Sequence, residues 1–268
     1  MSGPAQGQHA DMMLIRDAGG NLVTGAYDFD AGAIVNTNQR VFDAEFDIFG
    51  TTDEPGFNAL SSGNVPAGFL PLAGNTAVSF TGKAFEIGGT MSNLWHWDGI
   101  GAVDFGLIAD GTTLNVSKAP SSVFSMDLGG SGSDVAGFDI DTTSADGFLH
   151  KHIDFSLINS SGASAGLYLW AFTLENEGAS TASFWFVHGF DFHDEPQHEA
   201  AVDWVQANLV PTPCLADVNG DGMVTPTDFT AWINAFNNNL PECDQNSDGN
   251  CTPTDFTAWI ANFNIGCS

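Results

Sequence analysis

The stretch AGLYLWAFTLENEGASTASFWFVHGFDF (165–192) holds two runs rich in aromatic and β-branched residues, with the polar turn signal NEGAS (176–180) between them. Runs of this kind, bounded by turn residues, read as β-strands. Working outward, RVFDAEFDIFG (40–50), AVSFTGKAFEI (77–87), TTLNVSK (112–118) and FLHKHIDFSLI (148–158) have the same character. LGGSGSD (128–134) and NSSGASAG (159–166) read as loops. One good helix stands out, EPQHEAAVDWVQANLV (195–210), with Pro196 placed for its first turn. Many short strands with closely spaced turns predict a mainly β fold, a jelly-roll-like β-sandwich over residues 1–210 that ends in this helix. Pro211-Thr212-Pro213 marks a linker, and residues 214–268 form a separate, small α-helical module.

Charge narrows the partners. Five Lys and Arg stand against 33 Asp and Glu, a formal net charge of −28. Such a surface repels nucleic acid and anionic membranes, and suits multivalent cations or a saline, extracellular setting. No window approaches the roughly 20 apolar residues of a membrane span. The start, MSGPAQGQHADMM, lacks the basic residues and apolar run of a signal peptide. Cys214, Cys243, Cys251 and Cys267 all fall in the last 55 residues, the pattern of a disulfide-stapled secreted module. Three pairings are open, of which Cys214 with Cys267 and Cys243 with Cys251 are favoured. The expected location is therefore secreted or cell surface. A zinc site in the module lacks CxxC spacing.

That module says one thing twice: DVNGDGMVTPTDFTAWINAF (217–236) and DQNSDGNCTPTDFTAWIANF (244–263). Each copy places oxygens at the spacing of a calcium loop. In the first copy these are Asp217, Asn219, Asp221, the carbonyl of Met223, Thr225 and Asp228, with Gly222 at the sharp turn. In the second they are Asp244, Asn246, Asp248, Asn250, Thr252 and Asp255, with Gly249 at the turn. Position 12 is Asp rather than Glu, which keeps a bidentate contact but shortens its reach. Each loop then starts a helix with Thr as N-cap, Pro at the first helical position and an acid at N3. Phe229, Trp232, Ile233 and Phe236, and likewise Phe256, Trp259, Ile260 and Phe263, form one apolar stripe per helix. The two stripes are expected to pack on each other, since neither copy buries its own.

These residues resemble a dockerin, the duplicated loop-helix module of extracellular bacterial proteins. The resemblance implies two Ca²⁺ sites, folding coupled to calcium, and docking to a cohesin-like or cell-surface receptor, or self-association. Pro226 and Pro253 stand at loop position 10, where cohesin-binding dockerins often carry a small polar residue. With the helix tryptophans and four cysteines, this resembles the variant of planctomycete-type surface proteins.

All seven histidines lie in the larger part: His9, His96, His150, His152, His188, His193 and His198. In FLHKHIDF, His150 and His152 project from one face of a strand with Asp154 next, while Leu149, Ile153, Phe155 and Leu157 line the other. His-x-His on a strand suits zinc or copper. A third ligand is expected from His96, His188 or His9. LWHWDG, HKHIDFSL and DEPQHEAAVDWV are also similar to a family of exported PEP-CTERM proteins, some under zinc-uptake regulation, which implies zinc handling outside the cytoplasm by His96, His150 and His152.

No nucleophile elbow, P-loop, dinucleotide fingerprint or HExxH occurs. The leading expectation is a non-enzymatic surface protein that binds a transition metal, zinc first, through a His cluster. The alternative is a polysaccharide-binding or matrix protein that uses exposed Trp95, Trp97 and Trp185. A glycosidase using Glu175 with Glu177, or the acids Asp191, Asp194 and Glu195, ranks third.

Overall fold

The computed structural model describes residues 10–28, 31–109, 111–159, 162–211, 214–219, 223–246 and 248–266. His9, Pro213, Asp221, Gly222 and Cys267 lie outside the described residues. The chain divides into two compact units, Met1–Val210 and Pro211–Ser268.

The first unit is built of β-sheets around the strand Gly166–Asn176, which comes from the run quoted above. This strand pairs antiparallel with Phe184–Phe190, Ala77–Lys83 and Trp95–Trp97 inside an eight-stranded sheet. From Gly166 to Phe172 its residues are buried on both faces. Tyr168, Trp170, Phe172 and Leu174 enter the main core, while Leu167, Leu169 and Ala171 enter a second apolar layer. A strand covered on both sides needs an unbroken apolar run rather than strict alternation, which is what GLYLWAF supplies.

A four-stranded sheet and a six-stranded sheet share the main core with it, in the manner of a sandwich. The four-stranded sheet includes Thr113–Lys118 and Asp154–Ile158. The six-stranded sheet is centred on Asp11–Asp17, which pairs antiparallel with Leu22–Asp28 and parallel with Phe57–Ala59. Leu114, Val116 and Phe155 from the one, and Met12, Leu14 and Phe57 from the other, meet the aromatic face of the central strand.

Helix α1 (Glu195–Asn208) closes the second layer with Ala201 and Val205. Asp194 caps it, its side chain accepting from Gln197 N. Trp95, Trp97 and Trp185 sit in this layer at 2%, 3% and 4% exposure, so they are core residues and not the exposed glycan platform expected of them. The alternation of Trp95-His96-Trp97 puts both indoles on the α1 side and His96 on the other.

His198 ties α1 to the sheet. Its Nδ1 lies 2.9 Å from Glu45 Oε1 and its Nε2 lies 3.0 Å from the Val187 carbonyl oxygen. Burial alone would depress its pKa. Two facing acceptors and the nearby Asp43 charge outweigh it, holding the ring above the ordinary histidine value.

FLHKHIDFSLI is not one strand. Leu149–Lys151 pairs with Phe57–Ala59 in the six-stranded sheet, while Asp154–Ile158 pairs with Thr113–Lys118 in the four-stranded sheet. His152 and Ile153 form the corner between them. Period-2 alternation persists around the corner because Leu149, Ile153 and Phe155 feed the same core.

In the second unit, helices α2 (Pro226–Asn238) and α3 (Thr254–Ile265) follow the two loops. Helix α2 starts with a complete capping box: Asp228 accepts from the Thr225 backbone and Thr225 caps in return. At α3 only the half of the box made by the acid forms, Thr252 N donating to Asp255 Oδ2 at 2.8 Å, and regular helix begins one residue later, at Thr254. Phe229 meets Phe256 and Trp259 with ring centroids 5.6 and 5.1 Å apart, so the stripes do pack on each other. The stripe is narrower than its spacing suggests. Trp232, Ala235 and Trp259 are buried, whereas Ile233 and Ile260 are 40% and 42% exposed. Large stacked rings fill the short interface and leave the i+4 isoleucines outside it.

Cys243 and Cys251 form the expected local disulfide, closing the second loop. Cys214 is disulfide-bonded as well.

Candidate functional site: a histidine corner and two oxygen loops

At the sheet-to-sheet corner the two imidazoles converge. His150 Nε2 lies 3.2 Å from His152 Nε2 and 3.0 Å from Asp11 Oδ2. Asp11, at the start of the first strand, is brought beside the pair because Asp11–Asp17 and Leu149–Lys151 both flank Phe57–Ala59. Its side chain is 8% exposed, against 27% and 31% for His150 and His152. Asp11 Oδ1 accepts from Gly56 N at 3.1 Å, while the buried Oδ2 faces His150 Nε2.

The protonation of His152 follows from its surroundings. Its Nδ1 lies 2.9 Å from the Asp53 carbonyl oxygen, which only accepts, so Nδ1 carries the proton and Nε2 presents its lone pair. A ring hydrogen bond to a carbonyl on the far side is how metal-ligating histidines are oriented. Gly56 shapes the floor: a Cβ there would come within 2.7 Å of the His152 ring and 2.9 Å of Asp11 Oδ1. Two nitrogens bound to one tetrahedral ion at about 2.0–2.1 Å stand about 3.3 Å apart, close to the separation seen here. Two imidazoles, a buried carboxylate and space reserved by a glycine fit a zinc-class ion.

The other candidate ligands are not at this corner. Among the described residues, the groups of three metal-ligating side chains with donor atoms within 4.8 Å of each other are Asp11, His150 and His152, and Asp53, Glu54 and His152. Neither contains His96 or His188. His96 Nε2 bonds the Ala165 carbonyl at 3.0 Å, and burial pushes its pKa down, against the pull of that carbonyl and of Asp98. His188 is fully buried in the main core, its ring 4.5 Å from that of Trp170. Both stand on the face of the sheet that points inward and flank Tyr168 in register. Asp154 follows the corner but is exposed and joins neither group. Asp11 was missed because nothing within its own segment, HADMMLI, signals a ligand.

Of the acids considered for hydrolysis, Asp191, Asp194 and Glu195 line one cavity with Glu45, His193 and His198. Glu175 Oε1 accepts from Thr81 Oγ1, and Glu177 sits at positive φ beyond the strand with Oε2 3.9 Å from Arg16.

In the second unit the second loop is described almost throughout. Asp244 accepts from Asp248 N at 3.1 Å and from Gly249 N at 2.8 Å, and Gly249 turns at φ +80°. Asn246 Oδ1 accepts from Asp248 N, and Asp248 Oδ1 accepts from Asn250 N. Asp255, fully buried, reaches back so that Gln245 N and Asn246 N donate to Oδ1 and Thr252 N to Oδ2. In the first loop Asp228 does the same with Asn219 N and Thr225 N. For both acids burial would raise the pKa, but the backbone donors outweigh it and hold each carboxyl below its usual range. Asp217 and Met223 are also described, the latter 62% exposed. Every side-chain donor offered by Asp244, Asn246, Asp248, Thr252 and Asp255 is oxygen, the chemistry of a hard cation.

This unit is a tandem calcium-loop and helix module. It is a dockerin: residues 215–264 match the family model of the dockerin type I domain. Dockerin modules bind calcium, typically serve as non-catalytic docking units that bind cohesins, and occur in extracellular proteins. No curated protein matches the chain. Among the described residues no helix is long and apolar enough to cross a membrane.

Proposed function

We propose that the chain is an exported surface protein whose β unit captures a transition metal, zinc first, and whose dockerin module attaches it to a cohesin-like or cell-surface receptor, or to another copy. Asp11, His150 and His152 would hold the ion. Asp217, Asn219, Asp221, Met223, Thr225 and Asp228, and Asp244, Asn246, Asp248, Asn250, Thr252 and Asp255, would hold two calcium ions. The observation that carries the metal reading is the convergence of two imidazole nitrogens on a buried carboxylate oxygen, with the His152 tautomer set by Asp53. Zinc would act here as cargo or as a structural ion.

The test is metal content of the full chain by mass spectrometry, after zinc loading in calcium excess and desalting. Near-stoichiometric zinc that disappears in a His150→Ala, His152→Ala variant supports capture. Equal zinc in both proteins would leave the histidines as ordinary corner residues.

A second reading, contact with polysaccharide or matrix, rests on a surface other than the tryptophans. Ile48 and Phe49 are 86% and 78% exposed on a turn that Asp47 pins through the N–H groups of Phe49 and Thr51. Loss of insoluble-polysaccharide binding in Phe49→Ala would support it.

A further inference from the structure

One buried side chain beside the histidine corner is left without a partner. Asn58, in the middle of the strand Phe57–Ala59, is 1% exposed, and among the described residues neither its Oδ1 nor its Nδ2 has a hydrogen-bond partner. A buried carboxamide in that state is costly, so its place calls for a polar occupant.

Register shows which way it faces. Phe57 and Ala59 feed the main core, so Asn58 between them points to the opposite face of the sheet. His150 stands directly across from it on one side and Met13 on the other. Leu149 and Met12 enter the main core, which puts His150 and Met13 on the same face as Asn58. Gly56, next on that face of the strand, is the floor of the corner, where a Cβ would meet His152 and Asp11. The face therefore carries His152, Gly56 and Asp11 in one row, and His150, Asn58 and Met13 in the next. The bare glycine leaves room for an ion, and the orphan carboxamide borders that room.

We propose that the corner ion keeps a water in its fourth position and that Asn58 holds that water. The inference rests on the metal reading above and supplies what its three ligands leave open. A tetrahedral zinc-class ion bound by Asp11, His150 and His152 has one position unfilled. No described group makes a hydrogen bond with the Asn58 carboxamide, and a polar gap of that kind is where a bridging water sits. The ion polarises the water, and Asn58 Oδ1 accepts from it. Asn58 is thus a positioning residue, touching the ion's shell and not the ion. An ion with an exchangeable water is suited to being taken up and given up, which favours cargo over a structural ion.

The experiment measures Zn²⁺ affinity of the full chain by competition with a chromophoric chelator, in calcium excess, together with thermal unfolding of the β unit in the zinc-free chain. Asn58→Leu fills similar space without polar atoms. It should weaken zinc roughly 10- to 100-fold, the usual effect of losing an outer contact of a metal site. The same variant should leave the zinc-free melting temperature unchanged or raise it, because an unpaired polar group has been removed. Asn58→Asp keeps the acceptor oxygen and should hold zinc at least as tightly as the unsubstituted chain. Unchanged zinc affinity in Asn58→Leu, or equal weakening in both variants, overturns the water contact while leaving Asp11, His150 and His152 as the site. A lowered zinc-free melting temperature in Asn58→Leu also overturns it, because the asparagine would then be a structural residue. Should the unsubstituted chain take up no zinc, the metal reading itself fails, and the water with it.

Discussion

The two metal-suited regions of this chain are put together in opposite ways. In the dockerin module each ion-facing set comes from a single loop of about a dozen residues, and Asp228 or Asp255 folds back to close it. In the β unit the set comes from residue 11 and residues 150–152, brought together by a strand, Phe57–Ala59, that neither of them belongs to. The difference lies in what must fold first. A loop crowded with acids has little reason to close until a cation offsets their repulsion, so ion and fold are expected to arrive together. The histidine corner is held by a large aromatic core and by the Asp53 carbonyl, so the sandwich assembles it in advance.

The comparison is most easily broken with a chelator. Calcium removal under reducing conditions should erase the helical structure of α2 and α3, read as loss of hydrogen-exchange protection, and leave the sheets protected. Asp217→Ala with Asp244→Ala should mimic the chelator. Protection that survives in the helices would show a module folded by its aromatics alone.

Zinc should act on the other unit, and less. At about a hundredfold excess over its dissociation constant an ion adds about 2.7 kcal/mol, or roughly 5–10 °C in the melting temperature of a unit of this size. That gain should vanish in His150→Ala, His152→Ala, and a gain that persists would place the ion elsewhere.

Gly56→Ala sharpens the point further. Its methyl group would press on both the His152 ring and Asp11. We expect a cost of about 1–3 kcal/mol to the β unit together with loss of zinc. Retained zinc affinity would mean that the corner is looser than its distances imply.

The smallest effect is on pH. His198 has a folded pKa above its ordinary value, so its contribution is fully present below about 6.5 and is lost as pH rises through the raised folded value. The melting temperature of the β unit should fall modestly from neutral to mildly alkaline pH, and His198→Gln should flatten that slope. An unchanged slope would assign it to other groups.

How far the sequence could be read follows the same division. The repeat, its helix starts and its local disulfide were legible because every partner lies within a few residues. The strand runs 165–176 and 182–192 were legible from composition, and so was the HxH pair. Three things were not. Asp11 becomes a ligand candidate only through strand order. The break at His152 is invisible because core alternation continues through it. Trp95, Trp97 and Trp185 look like a platform until α1 is seen to cover them, a fact of tertiary packing that their own segment does not encode.

That covering gives the molecule a built-in optical gauge. Of its seven tryptophans, Trp95, Trp97 and Trp185 lie in the layer beneath α1, and Trp204 is carried by the helix itself. Any event that lifts the helix wets most of the indoles at once and should move the fluorescence emission to the red. Ion exchange at the histidine corner lies outside this layer and should leave the emission colour unchanged.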